Sequence, residues 1–190
     1  MSPLQLLTAP GAAAIRVLLL IILVIATITD LRRRRIPNLL TFPAALLAFG
    51  VHAGYGGWRL GVASVLAYLL FFALGFLYYR TVAGKEIGAG DIKLLMTTSA
   101  CIGFLPAAYV MFCSLVLVLL WLVLRWLVQG TARENFAQLY TWLGATVTPG
   151  AAKRHFRPVG MVDRTPHAPF MLAAALLCFY LERKGVLSLY

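Results

Sequence analysis

Only six of the 190 residues are acidic, and two of them stand in surroundings that suit acid–base chemistry. Asp30 lies in Thr29-Asp30-Leu31-Arg32-Arg33-Arg34-Arg35-Ile36-Pro37-Asn38, at the end of an apolar run. Asp91 lies in Gly88-Ala89-Gly90-Asp91-Ile92-Lys93, where two glycines just before the acid let the backbone pass close to another chain. Taken singly, each has a structural explanation. Asp30 is a partner for the arginines that follow it, and Asp91 is a helix N-cap. Together they make a working pair. Two carboxyls sharing a proton separate into an acid and a base, so one takes a proton from water while the other protonates a carbonyl oxygen. That chemistry hydrolyses an amide with neither a metal nor a covalent intermediate. Glu86, the nearest rival, reads as a loop charge beside Lys85. His52, His155 and His167 lack ligand spacing, as do Cys101, Cys113 and Cys178, so no metal and no cofactor is expected. A phosphate cradle is excluded, because Lys93 occupies the third glycine place of GxGxxG and no strand precedes it.

The elements that must position these residues follow from composition. The chain is 62% hydrophobic and 12% charged, half the charge of an average soluble domain, which excludes a water-soluble globule and a disordered chain. The pattern predicts an all-α, polytopic integral membrane protein forming one membrane-embedded domain over residues 1–190. About six spans are expected, at residues 12–29, 39–53, 60–79, 92–109, 107–128 and about 168–181, with a tight turn around Gly103 and Pro106. The first run is too long, and too charged at its end, for a signal peptide. With the N-terminus outside, thirteen of the seventeen Lys and Arg fall on the cytoplasmic side, leaving Arg16, Arg59, Arg183 and Lys184 outside. This topogenic bias accounts for the net charge of +11 and makes nucleic acid an unnecessary partner. Arg32 to Arg35 then read as an anchor, and the lipid bilayer as the first partner. Two crossings separate Asp30 from Asp91, so both reach the cytoplasmic face. Residues 130–166 form a cytoplasmic loop. In it Thr131 and Glu134 suggest a capping box, and Phe136, Leu139, Tyr140 and Leu143 an interfacial amphipathic helix that tethers the loop or guides a substrate.

On these two motifs the chain resembles the type IV prepilin peptidases, a branch of the GxGD aspartic membrane proteases. The segment from Asp30 to Asn38 is similar to that family's first aspartate motif, and Gly88 to Lys93 to its GxGDxK. Pro166-His167-Ala168-Pro169-Phe170 is similar, more weakly, to the opening of its last helix. The resemblance implies that Asp30 and Asp91 are catalytic and that Gly88, Gly90 and Lys93 support the motif. It implies a prepilin or pseudopilin substrate with a basic leader, a glycine before the cut and a hydrophobic helix after it. It also implies pilus biogenesis at the bacterial inner (cytoplasmic) membrane, with the active site on the cytoplasmic side. The chain contains no CxxC, so it resembles the short peptidase-only members of Flp (tight-adherence) systems, and N-methylation is not expected. The glycines at 88 and 90 are expected to let a substrate strand lie alongside. The alternative from another class is a proton-coupled transporter using the same acids. It would favour acids near mid-span, broken helices or inverted repeats, and no repeat is found here. An inactive scaffold for pilus assembly is a third reading.

Overall fold

The computed structural model describes residues 9–78, 89–147 and 166–185. Every regular element among them is helical: α1 (Ala9–Arg33), α2 (Asn38–Gly56), α3 (Trp58–Tyr78), α4 (Ala89–Ile102), α5 (Phe104–Val128), α6 (Ala132–Val147) and α7 (Ala168–Arg183). The expectation of a polytopic helical membrane protein holds. Among the described residues, four helices are long and apolar enough to cross a bilayer, with spans at Pro10–Arg33, Asn38–Gly56, Trp58–Leu77 and Phe104–Val128. The other two expected spans are shorter. α4 has 14 residues and α7 has 16, so at 1.5 Å per residue they extend about 21 and 24 Å, against a hydrocarbon core of about 30 Å.

Local chemistry explains the breaks. Arg34 ends α1 in the left-handed region (φ 51°), with its N–H on the Asp30 carbonyl at 2.8 Å. Pro37, extended at φ −72° and ψ 141°, then caps α2. The turn expected near Gly103 and Pro106 falls at Gly103. A φ of 88° suits glycine there, and its N–H caps the Ser99 carbonyl at 2.8 Å. Pro106 sits in the first turn of α5, where a missing N–H costs nothing.

The described residues group into two compact units, one within Met1–Leu115 and Pro166–Tyr190 and the other within Val116–Thr165. In the first, α1 packs against α2, α4 and α7, while α3 and α4 pack against each other and against α2. Its core joins Ile15, Leu19, Leu23 and Ala26 of α1 to small residues such as Ala44, Ala48, Ala174 and Ala175, which permit close helix approach. Leu39, Leu46, Leu66, Phe72 and Phe112 are exposed, as suits a lipid-facing surface. In the second unit Trp126 is buried edge-on to Phe136, with ring centroids 5.6 Å apart. Asn135 Nδ2 donates to the Thr131 carbonyl and hydroxyl at 3.0 and 3.1 Å, closing the first turn of α6.

Candidate active site

Asp30 occupies the last turn of α1 and is only 7% exposed. Its Oδ2 accepts the Ala168 N–H at 3.1 Å. Ala168 begins α7, so one of the N–H groups that a helix start leaves unpaired meets a carboxyl group. At their opposite ends the same two helices are tied by Arg16 Nη2 to Glu182 Oε1 at 2.9 Å. α1 and α7 therefore run antiparallel, pinned at both ends. His167 stands just before α7. Burial pushes its imidazole below the usual value, and the nearby Asp30 charge acts in the opposite sense and more weakly. Ser114 Oγ lies 3.3 Å from His167 Nε2 and donates its own proton to the Met111 carbonyl at 2.8 Å.

Asp91 is half-buried in the first turn of α4, and the residues around it are each held from outside the helix. Gly90 faces Ile36, and a Cβ placed there would stand 3.3 Å from the Ile36 Cβ. Ile92 packs into the space left by Gly75 of α3, where a Cβ would meet Ile92 Cγ2 at 2.5 Å. Lys93 Nζ donates to Asn38 Oδ1 at 2.6 Å, and one turn on Thr97 Oγ1, which donates to the Lys93 carbonyl at 2.9 Å, stands 3.3 Å from the Thr41 carbonyl. The Ile36-Pro37-Asn38 corner after the first aspartate is thus the surface on which the start of α4 rests. Asp30 precedes that corner by one turn, so the two carboxyls belong to the same end of this unit. An apolar recess of about 440 Å³ opens next to this point, lined by Phe42, Tyr68, Phe72, Phe76, Ile92 and Met96 among others.

Of the five residues singled out in the sequence, four lie in this region and Gly88 falls outside the described residues. Gly90 and Lys93 both serve the docking of α4 on the Ile36–Asn38 corner. Sequence reasoning gave no role at the site to His167 or Ser114. His167 and Ser114 are 53 positions apart, and no local spacing connects them. Among the described residues no three His, Cys, Asp or Glu side chains stand together as a metal would require.

The family model of the type IV leader peptidases matches residues 17–123, a stretch that includes both aspartates and the packed motifs. No curated protein and no solved structure matches the chain.

Proposed function

The chain belongs to the type IV leader peptidase family, and from that premise we propose that it is an aspartic endopeptidase removing the basic leader of Flp-like prepilins at the cytoplasmic face of the bacterial inner membrane. The observation that carries this reading is the seating of the Asp91 turn on the corner that follows Asp30, through Ile36–Gly90 and Asn38–Lys93. In the reaction, one carboxylate takes a proton from a water whose oxygen adds to the scissile carbonyl carbon. The partner carboxyl protonates the carbonyl oxygen. Collapse of the tetrahedral adduct breaks the C–N bond, and the released amine takes up a proton. No covalent intermediate forms, and no cofactor takes part.

The scissile peptide must be extended, because a helix hides its carbonyls in its own hydrogen bonds. The recess lined by Phe42, Phe72 and Ile92, beginning one residue from Asp91, offers the apolar part of such a substrate a surface beside the carboxyls. With the N-terminus outside, α4 and α7 complete six crossings as short spans, and the leader meets the aspartates in the cytoplasm, where most of the basic residues lie. The absence of CxxC supports cleavage without methylation.

Incubating the purified chain with a Flp-type prepilin, and reading the product by mobility shift and mass, tests this. A single cut after the leader glycine, leaving an unmethylated N-terminus, is the expected result. Several prepilins left intact, with proton flux in liposomes instead, would replace this reading with that of a transporter.

A further inference from the structure

The start of α7 contributes more to the site than one N–H. Ser114 Oγ has a single proton, and the 2.8 Å bond to the Met111 carbonyl uses it. At 3.3 Å from His167 Nε2 the Ser114 oxygen therefore accepts, and the imidazole proton resides on Nε2. The ring is anchored to α5 through that proton. The His167 carbonyl in turn accepts the N–H groups of Phe170 and Met171 at 3.0 and 3.2 Å, so the same residue shapes the first turn of α7. The next residue in the chain presents its N–H to Asp30 Oδ2. That bond engages Oδ2 and leaves Oδ1 as the other oxygen of the carboxyl.

We propose that His167 is a positioning residue for the aspartate pair: anchored on Ser114, it holds the first N–H of α7 against Asp30 Oδ2 and so aims Oδ1 at the reacting water or peptide. This rests on the reading of Asp30 as one of the two reacting carboxyls. It also brings a third titrating group to the site. Groups that can influence it are Asp30 on α1, followed by Arg32 and Arg33, and Asp91 on α4, which packs on α1. On α5 the adjacent Cys113 is turned toward Cys178 of α7, with the sulfurs 3.9 Å apart. Glu182, Arg183 and Lys184 lie at the far end of α7. Burial keeps the ring neutral at pH 7, and acidification places a positive charge beside the reacting groups.

The test compares wild type, His167→Ala, His167→Gln and Ser114→Ala in prepilin cleavage across pH, with the folded state of each checked by thermal melting in detergent. H167A is expected to lower kcat by about tenfold or more, with KM changed by about twofold at most, the loss typical of misaimed groups. The Gln amide can donate to Ser114 Oγ in place of Nε2–H, so H167Q retains most activity above neutrality. The ratio of wild-type to H167Q kcat should then fall as pH drops below 6.5, the ordinary imidazole value, whereas a purely structural role leaves it constant. S114A is expected to follow H167A to a smaller extent. An H167A enzyme with unchanged kcat and pH profile overturns the proposal. So does a flat ratio for H167Q, which remains decisive if H167A fails to fold. Wild type that cleaves no prepilin overturns the underlying reading and this one with it, whereas wild-type cleavage with an unaffected H167A overturns only the positioning role.

Discussion

The turn that carries Asp91 is packed against Ile36, Asn38 and Gly75, and this can be tested atom by atom. Gly75 leaves no room for a methyl group, because the added Cβ would stand 2.5 Å from Ile92 Cγ2. G75A is therefore expected to push the start of α4 away and to lower cleavage about tenfold or more. Adding Ile92→Ala, which removes Cγ2, should restore part of the loss; a strictly additive double variant would refute this coupling. At Gly90 the clearance from Ile36 is 3.3 Å, so G90A should be tolerated with a modest loss while G90V abolishes cleavage in a chain that still inserts. His167 makes the prediction at this scale that depends on pH. Its imidazole is held below the ordinary value of 6.5, so the unfolded chain binds the extra proton more readily than the folded one. Stability from this group is complete above 6.5 and declines as pH falls through the folded value. Melting temperatures should drop more steeply on acidification for wild type than for H167Q. Both aspartate motifs were legible in the sequence because their glycines, Pro37 and Asn38 are neighbours in the chain. His167 and Ser114 were not, because each acts on a residue brought near only by packing.

At the scale of elements, α4 poses the sharpest problem, a 14-residue helix ending inside apolar surroundings with carbonyls to satisfy. Two side chains satisfy them. His52 Nε2 meets the Cys101 carbonyl at 2.9 Å, and Ser64 Oγ the Ala100 carbonyl at 2.7 Å. A carbonyl can only accept, so the His52 proton is on Nε2. His52 is fully buried, and H52A, which combines a lost bond with a cavity, should destabilise the fold by about 2–4 kcal/mol. S64A should cost about 1 kcal/mol. Both are read by unfolding in detergent, and an H52A chain as stable as wild type would contradict this account of the turn. The break at Gly103 was legible from its glycine and proline. His52 was read only for ligand spacing, and its partner is a backbone carbonyl, which leaves no mark in the sequence.

For the whole molecule, the antiparallel pairing of α1 with α7 is pinned by polar contacts at both ends: Arg16 with Glu182 at one, Asp30 with Ala168 at the other. Apolar runs and stop charges revealed the long helices directly. The α4 span was overestimated, since a hydrophobic window cannot tell the end of α4 from the beginning of α5. An outside N-terminus makes a topological prediction. In intact cells a membrane-impermeant thiol reagent should label Trp58→Cys, at the start of α3, and label Arg35→Cys only after the cytoplasmic face is opened. The reverse pattern would place the aspartates on the wrong side for a leader held in the cytoplasm.

The central claim is that Asp30 and Asp91 together carry the reaction, and single-turnover cleavage of a Flp-type prepilin by wild type, Asp30→Asn and Asp91→Asn tests it most directly. Asparagine preserves the shape and cannot exchange the proton. Each variant is expected to fold and bind prepilin while losing cleavage by about three orders of magnitude or more. Cleavage at the wild-type rate by either variant would contradict the account.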